Sequence, residues 1–360
     1  MRPPRGPAGA HGRHRGEEPA ARARRCGPRA GVGAVSDVDD LLERVRERLR
    51  TTPSCGVARV DRLVGDALRP GKLLRPDLVL RSAVATGSDL GRTADVERRV
   101  IEGALSVELL HVATLVHDDI IDAADVRRGR PSVVASAGVA TAIVVGDLLL
   151  ARGAAAAARS SGAASGVWAR TLDCMAAGQL REAGLAESPS LEAHAEYASL
   201  KTAELFRSSA EIGALAAGAA PWVVEAHGTF GLHFGMAFQH VDDLLDLVGD
   251  AGRMGKPTGA DATNGVPTAI SLLSGRDGLE EVAGLIADEL EEARAALRPG
   301  PGAAALATWA GGALRRAARA AVDPADRDLD ARLTTAFGRL DDASDPRAWE
   351  LRPCRTSSSV

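Results

Sequence analysis

The stretch from His117 to Pro131, HDDIIDAADVRRGRP, sets four aspartates and three arginines into a chain otherwise rich in alanine and leucine. On a helix, Asp118 and Asp122 lie four residues apart and Asp119 and Asp122 three apart, so their carboxylates share a face and repel one another. A lone cluster of this kind reads as a solvated acidic helix end. The spacing recurs at Asp242, Asp243 and Asp246 in FQHVDDLLDLVGD, again behind an apolar run. Two such clusters call for cations between them. Mg2+ suits that role because it binds a few carboxylates, keeps several waters and takes its remaining ligands from phosphate. A polyphosphate substrate follows, and it needs cationic side chains of its own. The candidates are Lys72 and Arg75 in PGKLLRP, Arg127 and Arg128 behind the first cluster, Lys201 in LKTAELF and Lys256 in MGKPTG. Arginine grips phosphate oxygens two at a time, and lysine acts as a compact point charge.

Helices must hold these residues. Apolar side chains recur at three- and four-residue spacing in DVDDLLERVRERL, in DVERRVIEGALSVELLHVATLVHDD, in SLEAHAEYASLKTAELFRSSAEIGALAAG and in LEEVAGLIADELEEARAAL. Alternating β-branched or aromatic runs are missing. Pro189, Pro221 and the RPGPG at 298–302 fall between periodic segments, where helices start or stop. The reading is an all-α domain over residues 37–322. Residues 1–36, rich in Arg, Pro and Gly, are expected to be disordered, and 323–360 to form a C-terminal helix and a frayed tail.

Composition narrows the function. A net charge of −4 and an aromatic content of 3% argue against nucleic acid, which demands a basic face and stacking platforms. Cys26, Cys55, Cys174 and Cys354 form no CxxC pair, which suits reduced thiols and a cytoplasmic protein. The apolar run VVASAGVATAIVVG stops at Asp147, short of the roughly 20 residues of a membrane span, and the first 35 residues lack the apolar segment of a secretory signal.

Taken in order, GKLLRP, ELLHVATLVHDDIIDAADVRRGRPS, AIVVGDLLLARG, GQLRE, KTAELF and FQHVDDLLDLVGD with GKPTGAD resemble the trans-isoprenyl diphosphate synthases of the polyprenyl synthetase family, over about residues 40 to 320. The resemblance implies an antiparallel helical bundle around a deep central cavity, usually as a homodimer. It implies that Asp118, Asp122 and Asp242, with Asp119, Asp243 and Asp246 in support, bind an allylic diphosphate through Mg2+. Lys72, Arg75, His111 and Arg128 would hold isopentenyl diphosphate. Arg127, Lys201 and Lys256 would hold the allylic diphosphate, Thr202 and Gln239 would stabilise the allylic cation, and Gln179 and Glu182 would orient these groups. Family members that stop at C15 carry an aromatic ring just before the first acidic motif. Here Ala113 and Thr114 stand five and four residues upstream of Asp118, about 6–8 Å along the helix, and both are small, so products of C20 or longer are expected. Two positions depart from the family pattern. Val266 stands where a lysine is usual, and His240 replaces an aliphatic residue. The rival readings are a terpene cyclase, which needs no isopentenyl diphosphate site, and a modified subunit of a heteromeric synthase, which typically lacks one acidic motif.

Overall fold

The computed structural model describes residues 33–52, 54–87, 94–185, 187–248, 268–273 and 278–321. Among them the chain is helical almost throughout. The helices are α1 (Gly33–Arg50), α2 (Ala58–Ala67), α3 (Leu74–Ala85), α4 (Ala94–Ile121), α5 (Val133–Ala137), α6 (Val139–Ser160) and α7 (Gly162–Leu185). They continue as α8 (Leu191–Ala198), a π-helical turn (Ser199–Ala203), α9 (Glu204–Ala216), α10 (Pro221–Val248), α11 (Ala269–Leu272), α12 (Gly278–Ala296) and α13 (Pro301–Ala321). The prolines mark the starts as the sequence suggests. Pro221 and Pro301 are the first residues of α10 and α13, where a missing N–H costs nothing. Ser190, just after Pro189, caps α8 by accepting the Ala193 N–H. Helix α1 begins at Gly33, so residues 33–36 belong to a helix, while residues 1–32 and the tail from 322 lie outside the described residues.

Helix α4 runs through the middle. Every residue from Val100 to Leu110 is buried, as befits a helix packed on all sides by α1, α3, α6, α7 and α9. Its buried Glu102 is matched by two guanidiniums, from Arg48 at 2.8 Å and Arg159 at 2.9 Å. Helices α3 and α9 bridge two hydrophobic cores. Val79 and Leu205 face the core around α4, whereas Leu78 and Phe206 face one built by α10, α12 and α13. The few aromatic rings concentrate in that second core, where Phe206 meets Phe234 edge-on at 5.2 Å and Phe234 meets Trp309 at 5.1 Å.

Two strands of two residues each, β1 (Val126–Arg127) and β2 (Arg130–Pro131), form a hairpin that the sequence pattern does not signal. They are too short to show alternation. Arg128 and Gly129 make its turn with φ of 52° and 72°, the geometry that suits a right-twisted ribbon. Helices α4 and α6 are each long and apolar enough to cross a membrane by length and composition alone. The most apolar window of α4 is 78% buried within the protein, but that of α6 only 33%, leaving Val139, Ile143 and Val144 exposed.

Candidate functional site

The first acidic cluster sits at the C-terminus of α4, and the structure splits its carboxylates by direction. Asp119 is buried and accepts from Arg127 Nε at 2.7 Å and Nη2 at 2.6 Å. Arg127 reaches it because the hairpin folds back over the helix end. That end is a Schellman motif, in which Ala124 N–H donates to Asp119 O at 2.9 Å and Ala123 takes a φ of 50°. Asp118 and Asp122 point elsewhere, and neither carboxylate has a hydrogen-bond or ion-pair partner among the described residues. Burial pushes the Asp118 carboxyl up to about 6; Lys201 draws it down, and Asp122 pushes it further up. Asp122, though exposed on the surface, is raised as well, by desolvation first and then by Glu182 and Asp119 against the pull of Lys201 and Arg127. Burial outweighs the nearby Lys201 and Arg127 at both carboxylates. Among the described residues no three His, Cys, Asp or Glu side chains form a ready-made cage for an ion. Two carboxylates on one open helix face are the donor set Mg2+ uses when phosphate supplies the rest.

A second group is basic. Arg75, on the first turn of α3, lies 3.2 Å from His111 Nε2 and 4.5 Å over the Phe206 ring. Its guanidinium is pulled down to about 10, by burial first and also by Arg128, despite the favourable charge of Glu108. His111 is held well below its usual value by burial and then by Arg75, Arg128 and Arg127. Arg75 Nε is buried without an acceptor among the described residues. Arg128 donates to Arg69 O at 3.0 Å, which lays it along the loop that carries Lys72. Lys72 itself is exposed. Arg75 and Arg128 thus bring positive charge to His111, while Arg127 is already matched by Asp119 and Glu108 offsets Arg75 in part. On the α2 side of α4, a cavity of about 740 Å3 adjoins this group through Arg127 and Arg128, over an apolar floor that includes Leu63, Val112 and Val116.

Between the two groups and the second acidic cluster lies the π-helical turn. Its wider winding aims Lys201 and Thr202, adjacent in sequence, at different helices. Lys201 Nζ donates to both oxygens of Glu182 on α7 at 2.8 Å, and Glu182 also accepts from Tyr197 at 2.9 Å and from Gln179. Thr202 donates to Gln239 Oε1 at 2.7 Å, and Gln239 Nε2 donates to Asp243 Oδ1 at 2.7 Å. Asp243 is buried. Burial pushes its carboxyl up, but His194, the Ala269 N–H and Gln239 outweigh that and hold it below the ordinary carboxylate range. Asp242, in the same helix, is half-buried.

Most of the sequence candidates therefore gather around α4, the π-helical turn and α10. The Asp246 side chain, Lys256 and Val266 lie outside the described residues. Ala113 is fully buried in the core around α4, whereas Thr114 keeps some exposed surface. His240 is buried, with its pKa lowered chiefly by desolvation. The sequence reading missed Tyr197 and His194. Both lie upstream of Lys201, four and seven residues away, on the same face of the helix. That spacing was the available signal.

Comparison with known proteins gives these groups a context. Residues 58–295 match the family model described as polyprenyl synthetase. The chain is 33% identical over 271 residues to a nonaprenyl diphosphate synthase of Mycobacterium tuberculosis, covering 69% of this chain and 81% of that one. It is 38% identical over 199 residues to heptaprenyl diphosphate synthase component 2 of Geobacillus stearothermophilus, covering 54% and 60%. Its fold is similar to that of a geranylgeranyl pyrophosphate synthase from Lactobacillus brevis, with a TM-score of 0.67, 26% identity and coverage of 78% of this chain and 97% of that one.

Proposed function

The chain belongs to the polyprenyl synthetase family and is a prenyltransferase, and from that premise we propose that it joins isopentenyl diphosphate to an allylic diphosphate with Mg2+, releasing diphosphate and an all-trans polyprenyl diphosphate of C20 or longer. One observation carries the reading. Among the described residues Asp118 and Asp122 share a helix face without an ion pair, Arg75 lies beside His111 with its Nε unmatched, and the Thr202 hydroxyl is held by Gln239 on the π-helical turn. A reaction of two diphosphates, one held through metal and one held directly, suits both groups.

In this reading Asp118, Asp122 and Asp242 hold Mg2+, with Asp246 in support, and Arg127, Lys201 and Lys256 steady the allylic diphosphate. Mg2+, when bound, draws charge off the departing diphosphate. Lys72, Arg75, His111 and Arg128 hold isopentenyl diphosphate, with the buried Arg75 Nε gaining the acceptor it lacks among the described residues. Cleavage of the allylic C–O bond leaves a cation, which Thr202 and Gln239 face with oxygen lone pairs. The isopentenyl double bond attacks that cation, and loss of a proton to the diphosphate restores an alkene. The apolar helices around α4 keep out water, which would quench the cation. Thr114, small and partly open, leaves the tail a path along α4, which supports products beyond C15. The exposed apolar strip of α6, Val139, Ile143 and Val144, supports a homodimer. Free Cys55 and Cys174 support a cytoplasmic setting. The similarity to a protein named as a synthase component keeps a heteromeric assembly as the second reading.

Calorimetry tests the charge argument. Isopentenyl diphosphate should bind without metal, through the guanidinium group. A non-reactive allylic thiolodiphosphate should bind tightly only with Mg2+. Equal metal dependence for both ligands would contradict the assignment.

A further inference from the structure

Asp243 belongs to the second acidic motif by sequence, yet both of its oxygens are occupied from within the protein. Oδ1 accepts from Gln239 Nε2 at 2.7 Å, and Oδ2 accepts from the Ala269 N–H at 3.0 Å and lies 3.1 Å from His194 Nε2. An ionised carboxylate only accepts, so His194 Nε2 carries the hydrogen. The imidazole is itself buried, 3% exposed, and comes from α8, the helix that also supplies Tyr197 to Glu182.

The bonds that leave Asp243 have a fixed polarity. Because the Gln239 amide gives its N–H to Asp243, its oxygen must face Thr202. Because that oxygen accepts, the Thr202 hydroxyl gives up its hydrogen to it at 2.7 Å. What Thr202 then presents outward is lone pairs, the negative end of its dipole. Chains of hydrogen bonds polarise in sequence, and here the chain starts at a carboxylate and ends where positive charge must develop. Reversing any link would turn an O–H toward the cation.

We propose that His194 is a positioning residue for prenyl transfer: by pinning Asp243 it sets the orientation of Gln239 and hence the direction in which the Thr202 hydroxyl points. The proposal rests on the prenyltransferase reading and adds to it a residue from outside the acidic motifs. It also assigns Asp243 to the fold and not to cation binding.

Binding of two inert analogues tests it. One is an allylic thiolodiphosphate, which is neutral at its reacting carbons; the other is an azaprenyl diphosphate, whose ammonium stands in for the allylic cation. Both are titrated with Mg2+ into the wild-type protein and into His194→Phe and His194→Gln. The Phe variant keeps the ring and loses the donor, whereas Gln restores an N–H. The Phe variant should bind the ammonium analogue about 10- to 100-fold more weakly and the neutral analogue as before, and Gln should recover most of the loss. Its kcat should fall by a similar factor with KM for isopentenyl diphosphate unchanged. Should the Phe variant not fold, His194→Ala supplies the same ratio of affinities. An unchanged ratio in a folded variant overturns the positioning role. A wild-type protein that binds neither analogue overturns the prenyl-transfer reading instead.

Discussion

Asp118 and Asp119 are neighbours with opposite surroundings, and substitution separates them. Asp118 has no partner among the described residues and a carboxyl raised to about 6, chiefly by burial, so Asp118→Asn should leave the melting temperature of the metal-free protein unchanged or higher. Turnover should nonetheless fall at least about 100-fold, because a metal-holding oxygen is gone. Asp119→Asn should do the reverse in the metal-free protein. Arg127 loses a carboxylate that meets it at 2.6 and 2.7 Å, costing about 1–3 kcal/mol in denaturant unfolding. Similar unfolding curves for the two variants would show that the aspartates are not divided in this way. Helical spacing revealed which carboxylates share a face. It could not reveal which one turns back to an arginine, because that depends on a two-residue hairpin folding over the helix end. Nor does any spacing rule connect His194 to Asp243. They meet only because α8 and α10 pack side by side.

The π-helical turn is the element on which the site depends, and two glycines hold it. A Cβ at Gly178 of α7 would stand 2.7 Å from Lys201 N, and one at Gly235 of α10 would stand 2.6 Å from Ala203 Cα. Both contacts are with backbone, so the turn cannot yield cheaply. Gly178→Ala should therefore shift Lys201 away from Glu182, raising KM for the allylic substrate several-fold while KM for isopentenyl diphosphate stays constant. Steady-state kinetics with each substrate varied in turn checks this; a uniform loss for both substrates would place the effect elsewhere. Helix α4 carries the product-length question. Ala113 is enclosed by the core, so a ring there would overpack it, and the exposed surface of Thr114 makes that position the better probe. Thr114→Phe should shorten the product by one or more five-carbon units, read by chromatography of the dephosphorylated alcohols. The helices themselves were legible in the sequence, since period, prolines and caps agree along most of the chain. The π winding was not, because a one-residue slip in the apolar period over a single turn cannot be told from the ordinary alternation of three- and four-residue spacing.

At the scale of the molecule, α6 stands out. It passes the composition test for a membrane span yet packs along α4, and its outward strip of Val139, Ile143 and Val144 is the kind of patch that a second copy covers. Replacing Ile143 and Val144 with aspartate should convert a dimer to a monomer in sedimentation equilibrium while the helical signal persists. A wild-type protein that sediments as a monomer would contradict the dimer directly. The sequence indicated the fold class and the family from ordered motifs. It located the acidic and basic clusters but not which of their groups keep a charge deficit, which is decided only when α3, α4 and the π-helical turn come together. Those deficits carry the central claim, and one assay addresses it most directly. The protein is incubated with radiolabelled isopentenyl diphosphate and allylic primers from C5 to C20, with and without a chelator, and the products are sized. The account predicts chelator-sensitive incorporation of label into linear diphosphates of C20 or longer. Release of an unlabelled hydrocarbon, with isopentenyl diphosphate left unused, would contradict it.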